Sequence, residues 1–349
     1  MKDILDSLNK AKSKKGWIYG EKMNRIGDPF QWVDGEQLNK FSNLSKAQSF
    51  LQFLSMSGEI YENPKKIKVK NYKKFEKRII KKLNDVFQKF IPFKKPKQIK
   101  FEKYLKSTAS VKQQDYSFLK KFCKKLPKKI NHLDIGPGLG ANLIYSYLGF
   151  NSCYYALEAF PHSYKVQREF FTKSLNKDEL YLDPVECENL NLSDKEITKE
   201  INLNNKYKIK HIPSWYFDNI KDNSIDLISA TWVLNEVNSS GICWLLTNIA
   251  NKLKPGGFLY LRDSKKLKPL RHNLIYDSFV VEKMGFKKVG ELKVKNRVDM
   301  HGIPRLYQKT TKTKKISFTK LYNLAFSFFS VTSHGGNFNQ SNTSSKKTK

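Results

Sequence analysis

The chain has 349 residues, 39% hydrophobic and 13% aromatic, with a net charge of +33. That content supports one large or two medium domains and excludes wholesale disorder. No apolar run approaches the ~18 residues of a membrane-spanning helix, and the polar start lacks a signal-peptide core. Four scattered cysteines (Cys123, Cys153, Cys187, Cys243) form no CxxC pair. Neither a disulfide framework nor a metal site is expected, and the chain reads as a soluble cytoplasmic protein.

The charge is uneven. Residues 64–129 hold 24 basic and 4 acidic side chains, a net +20. Only seven of the 65 basic residues are Arg (Arg25, Arg78, Arg168, Arg262, Arg271, Arg297, Arg305). Arg, with its planar fork, is the preferred reader of phosphates and base edges. The Lys-rich stretch therefore suits a sequence-independent contact with a polyanion or the inner membrane surface, or reflects composition alone.

In chain order, residues 1–60 mix packed irregular structure with an amphipathic helix at 45–56. A basic helix follows within 64–100, with Phe75, Ile79, Ile80, Leu83, Phe87 and Phe90 at helical spacing. Pro92 and Pro96 end it in a Lys-rich linker, and a second helix covers 116–126. From residue 130, strands alternate with helices, the pattern of a parallel sheet with crossover helices. Strands are expected at 130–135, 152–157, 207–212, 224–230 and 258–261, with helices at 139–148, 162–175, 242–253 and 270–284. Pro255-Gly256-Gly257 reads as a turn. Residues 178–205 carry no clear pattern. Two final β runs, 287–294 and 303–308, form an antiparallel hairpin.

The fold expected is thus α/β, a Rossmann-like doubly wound sheet with a helical basic N-terminal extension. Residues 1–112 form that extension, a candidate substrate lid, and 113–310 the catalytic domain. A basic amphipathic helix occupies 311–332 and a disordered tail 333–349.

The densest motif is Leu133-Asp134-Ile135-Gly136-Pro137-Gly138-Leu139-Gly140, placed where a strand turns into a helix. Glycines there allow a tight turn and a close ligand approach. The spacing is GxGxG and not the GxGxxG of a dinucleotide site. Asp134 would repel a phosphate but attract an ammonium. Glu158, 18 residues beyond Gly140, ends the second strand, where a carboxylate can accept from both ribose hydroxyls. Ribose with an amino group and no phosphate points to S-adenosylmethionine.

On DIGPGLG, Glu158, Ser224-Ile225-Asp226-Leu227-Ile228 and Leu253-Lys254-Pro255-Gly256-Gly257, residues 115–310 resemble the class I S-adenosylmethionine-dependent methyltransferases. The resemblance implies that Asp134, Gly136, Pro137, Gly138 and Gly140 line the cofactor and that Glu158 binds its ribose, with Thr231 at the end of the fourth strand. Many members place an acid after the third strand for adenine. This chain has His211-Ile212-Pro213-Ser214-Trp215 there, leaving Ser214 and Trp215 as the adenine candidates.

Thr231-Trp232-Val233-Leu234-Asn235-Glu236-Val237 follows the fourth strand. Methyl transfer to an alcohol needs a base as well as positioning. Glu236 is the first candidate, against the alternative of a helix-start acid. Asp263, His272 and His301 are further candidates, and Asn235 and Arg262 are candidate substrate contacts. Asn235-Glu236 beneath a long extension is similar to bacterial sugar O-methyltransferases, implying a carbohydrate or other small hydroxylated acceptor. An RNA methyltransferase and a non-catalytic binding protein on the same fold stand as alternatives.

Overall fold

The computed structural model describes residues 72–90, 98–124, 126–159, 161–203, 206–231, 233–234, 239–263, 284–292 and 302–311, together with 4, 6, 7 and 9–11. Two helices lead, α1 (Tyr72–Phe90) and α2 (Gln98–Phe122). Then come β1 (Asn131–Ile135), α3 (Asn142–Phe150), β2 (Cys153–Glu158), α4 (Pro161–Ser174) and β3 (Tyr181–Leu182). After α5 (Pro184–Asn189) and α6 (Asp194–Asn202), β4 (Ile209–Pro213) runs into a 3-10 turn, Ser214–Asn219. The chain continues through β5 (Ile225–Thr231), α7 (Ser239–Lys252), β6 (Leu253–Asp263), β7 (Lys287–Glu291) and β8 (Ile303–Gln308).

The eight strands form one sheet in the order β3-β4-β2-β1-β5-β6-β8-β7. It is parallel from β3 to β6, and β8 enters antiparallel between β6 and β7. Strand order reverses between β1 and β5, which opens a crevice at their carboxyl ends. Strands buried on both faces read as near-continuous apolar runs, as in Ile225–Thr231, which is buried throughout.

Side chains alternate between two cores. Leu133, Ile135, Leu157, Ile212, Ile228 and Leu261 face α5, α6, the 3-10 turn and α7. Ala156, Ile209, Leu227 and Tyr260 face the layer of α1 to α4. On α1, Phe75, Ile79, Leu83 and Val86 are buried at helical spacing, and Phe75 stacks on Tyr116 of α2 at 4.0 Å.

The sheet and its antiparallel end match the expectation. Several details differ. The helix expected at 116–126 is the end of α2, which crosses residue 112 without a break, so the expected domain boundary falls inside one helix. Pro255-Gly256-Gly257 lies within β6, where Gly256 adopts φ +80° beside an irregularity in the β5 pairing. The unassigned stretch 178–205 holds β3, α5 and α6, and α6 begins with a Ser193/Glu196 capping box. The helix expected at 45–56 and the tail at 333–349 lie outside the described residues, as do the helices expected at 270–284 and 311–332 apart from residues 284 and 311. Among the described residues no helix is long and apolar enough to cross a membrane.

Candidate active site

At the carboxyl end of β1 the chain turns sharply into α3. Gly136 N–H donates to Leu157 O at 2.9 Å and Gly140 N–H to Pro137 O at 2.8 Å, which pins the loop to β2 and closes it on itself. Gly138 has φ +58°, and among the described residues a Cβ there would meet no atom within 4 Å. Its backbone therefore borders open space that a ligand can enter. Gly136 has the same φ, but a Cβ there would lie 2.6 Å from Val233 Cγ2. That contact seats Val233, two residues past the end of β5, directly on the loop.

Asp134 does not face a ligand, which corrects the expectation that it meets an ammonium. Strand alternation turns its carboxylate toward α3, at 0% exposure. Tyr154 OH donates to Oδ2 at 2.5 Å, while Ser229 Oγ and Asn142 Nδ2 donate to Oδ1 at 2.6 and 3.1 Å. Burial raises the Asp134 pKa, and these hydrogen bonds oppose the rise. Because Ser229 gives its proton to Asp134, His132 Nε2–H must donate to Ser229 Oγ, at 2.8 Å. His132 Nδ1 then accepts from Ser146 Oγ at 2.7 Å, and burial pushes the imidazole pKa down to about 3. Asn142 Oδ1 is buried without a hydrogen-bond partner among the described residues.

Glu158 ends β2, 4% exposed, opposite Pro213 of β4. Ala159 N–H donates to Oε1 at 2.8 Å and Gln167 Nε2 to Oε2 at 2.7 Å. The same Gln167 nitrogen donates to Gly138 O at 2.6 Å. Ser214 and Trp215 follow Pro213 and are 3% and 2% exposed, with the Trp215 ring in the core beneath the strand ends. Thr231, the last residue of β5, pairs with Arg262 of β6.

Arg262 is not available to a substrate, a second correction. It is 1% exposed; one guanidinium nitrogen binds Asp115 of α2 and the other donates to Gln114 Oε1 at 2.6 Å. Tyr260 OH donates to the same Asp115 oxygen at 2.6 Å. The Asp263 backbone pairs with Ile303 of β8 at the same edge. Asn235, Glu236, His272 and His301 lie outside the described residues. The structure therefore gathers the glycine loop, Glu158, Ser214, Trp215, Thr231 and Asp263 at one sheet edge and removes Asp134 and Arg262 from its surface.

Sequence reasoning missed Gln167, Asn142 and Val233. Gln167 had a readable signal, a polar residue among Tyr164, Phe170 and Phe171 on the buried face of α4. A cavity of about 450 Å³, lined by Lys129, Asn131, Lys221, Asp226 and Lys254 among others, opens at the opposite edge, at the strand amino ends.

A parallel sheet with an antiparallel final strand, and a GxGxG loop and strand-end acid at its switch point, define the Rossmann-like class that serves nucleoside cofactors. Residues 104–303 match the model of the methyltransferase domain family, and the chain belongs to that family. It is an S-adenosylmethionine-dependent methyltransferase, and S-adenosylmethionine is its cofactor. The geometry fits that group, with open space before the Gly138 backbone and a fixed carboxylate one strand away.

Similar solved structures include the CurJ carbon methyltransferase, at 15% identity and TM-score 0.40, covering 77% of this chain and 72% of that one. A SAM-dependent methyltransferase from Aquifex aeolicus gives 16% identity and TM-score 0.31 over 58% of this chain and 97% of its own. P. horikoshii TYW2 in complex with MeSAdo gives 16% identity and TM-score 0.34 over 55% and 61%. No curated protein matches the chain.

Proposed function

We propose that the enzyme methylates a hydroxyl oxygen of a small polyhydroxylated acceptor, a sugar foremost, in the cytoplasm. The observation that carries this reading is the contact of Val233 with Gly136. It holds Val233 against the cofactor loop, and Asn235 and Glu236 follow it in the chain by two and three residues. Bound S-adenosylmethionine supplies a sulfonium-activated methyl group. Glu236 takes the acceptor's hydroxyl proton on its carboxylate while Asn235 orients the acceptor, with Asp263, His272 and His301 as the alternative bases.

In the same reading the Gly138 backbone accommodates the methionine part, and Glu158 accepts from the ribose hydroxyls. Ser214 and Trp215 flank the adenine. Asn142 replaces Asp134 as the ammonium partner: its Nδ2 is committed to the Asp134 carboxylate, which leaves Oδ1 as a buried acceptor without a donor among the described residues. Cys123, Cys153 and Cys187 form no disulfide, in keeping with a reducing compartment.

A second reading, an RNA acceptor, is favoured by the outward face of α1, where Lys73, Lys74, Lys77, Arg78 and Lys81 are all exposed. A methyl-transfer assay with tritiated cofactor, run in parallel on cell-envelope polysaccharide, its sugar precursors and total RNA, decides between them. Alkali-stable label on saccharide that falls roughly 10²–10⁴-fold in Glu236→Gln supports O-methylation with Glu236 as base. Label on RNA alone rejects the sugar reading.

A further inference from the structure

Gln167 occupies a position where one side-chain amide can bind both halves of the cofactor cradle. Its nitrogen has two hydrogens, and both are spent: one on Gly138 O at 2.6 Å and one on Glu158 Oε2 at 2.7 Å. The amide oxygen must therefore accept, and its partner is His211 Nε2 at 2.9 Å. This fixes the imidazole as the Nε2–H tautomer, so Nδ1 accepts from Tyr181 OH at 2.8 Å. Tyr164 stacks on the His211 ring with centroids 3.6 Å apart and planes 10° from parallel, and Gln167 and His211 are both 0% exposed. Every proton in the relay Tyr181–His211–Gln167 is thus directed toward Glu158 and the loop.

We propose that Gln167 is a positioning residue for cofactor recognition, locking the Glu158 carboxylate and the Gly138 carbonyl in one fixed relation. The idea rests on the reading of Glu158 as the ribose acceptor. Each Glu158 oxygen already accepts from the protein, Oε1 from Ala159 N–H and Oε2 from Gln167. Both donors help to set the plane of the carboxylate, which in that reading accepts from a pair of vicinal hydroxyls. Without Gln167, the carboxylate keeps its charge but loses its fixed orientation, and the carbonyl of Gly138 loses its donor. Gln167 meets no reacting atom, so its effect belongs to binding and to ribose discrimination.

The test uses the full-length enzyme and S-adenosylhomocysteine titrated calorimetrically, beside its 2′-deoxy analogue, with Glu158→Gln as the control. Gln167→Met removes both donors at near-equal volume. Gln167→Glu preserves shape but turns an acceptor toward two acceptors, and it serves if the first variant folds poorly. We expect either variant to bind S-adenosylhomocysteine roughly tenfold to a hundredfold more weakly. The preference over the 2′-deoxy analogue should narrow, and kcat at saturating cofactor should stay near wild type while the cofactor KM rises. The double variant with Glu158→Gln should lose much less than the two single losses combined. Wild-type affinity and wild-type ribose preference in a folded Gln167 variant overturn the proposal. Wild-type affinity in Glu158→Gln instead overturns the underlying reading of Glu158.

Discussion

Arg262 near the end of β6 and Asp115 in the middle of α2 form an ion pair at 1% and 0% side-chain exposure, 147 residues apart in sequence. It is the bolt between the N-terminal helices and the catalytic sheet. Gln114 takes a second guanidinium hydrogen, Tyr260 shares the Asp115 oxygen, and Lys112 stands 3.7 Å from the other carboxylate oxygen. Burying two charges is costly in itself, but removing one partner strands the other in low dielectric.

Arg262→Met or Asp115→Asn should accordingly lower unfolding stability by about 3–5 kcal/mol. The pair of changes Arg262→Met with Asp115→Leu should recover much of that loss. Urea or thermal unfolding measures both. A single variant with wild-type stability and a selective rise in acceptor KM would restore Arg262 to the substrate site.

Gly138 and Gly136 should separate binding from folding. Gly138→Ala adds a methyl that meets no atom of the described residues, so its structural cost is that of a left-handed φ, about 1–2 kcal/mol. Cofactor affinity should fall steeply because the methyl occupies the ligand's space. Gly136→Ala also drives a methyl to 2.6 Å from Val233 and should displace the segment after β5, lowering stability and turnover together. Melting temperature and S-adenosylhomocysteine binding, measured side by side, distinguish the two patterns.

Asn142→Leu removes an amide that donates to Asp134 and offers its oxygen elsewhere. S-adenosylhomocysteine affinity should fall roughly tenfold or more if that oxygen meets the ammonium, given the usual strength of a charge-assisted hydrogen bond. The sharper readout is the analogue lacking the amino group. It should bind the variant and wild type almost equally, and a loss of the same size for both ligands would reduce Asn142 to a support for Asp134.

The buried histidines set the response to acid. Burial holds His132 neutral, with its pKa pushed down to about 3, and burial with nearby Arg168 pushes His211 the same way. In the unfolded chain each titrates near 6.5, so between there and the depressed value the unfolded state binds more protons. Stability is therefore intact above about pH 6.5 and is lost as pH falls, by up to about 1.4 kcal/mol per pH unit for each histidine. Asp134, whose pKa is raised, contributes in the opposite sense at the low end of the range. His132→Asn should flatten the acid limb in a series of unfolding curves from pH 7 to 4, and an unchanged slope would count against a buried neutral His132.

The site was partly legible because some signals are local. DIGPGLG announces a strand-to-helix turn through its glycines, and Glu158 could be placed because it lies one crossover away, a distance that short βα units keep nearly constant. Ser193-Asp194-Lys195-Glu196 carried a capping box that marks the start of α6, although the polar stretch around it concealed the helix. The N-terminal helices were harder. Thr108, Lys112, Gln113, Gln114, Asp115 and Ser117 all point to an exposed helix by composition, yet all are buried in α2 against the sheet.

The sequence by itself determined the parallel sheet, the antiparallel end, the glycine loop and the acid of the second strand, because periodicity, turn glycines and strand–helix alternation act over a few residues at a time. Which way each polar side chain turns was decided only by the tertiary structure. Asp134 and Arg262 sit in the strand positions expected of ligand contacts, but sheet alternation sends one toward Tyr154 and Ser229 and α2 claims the other through Asp115. Gln167, unremarkable in the chain, gains its place by standing between Gly138 and Glu158. A buried charge or amide must find partners, and those partners come from elements that are distant in sequence and adjacent only after folding.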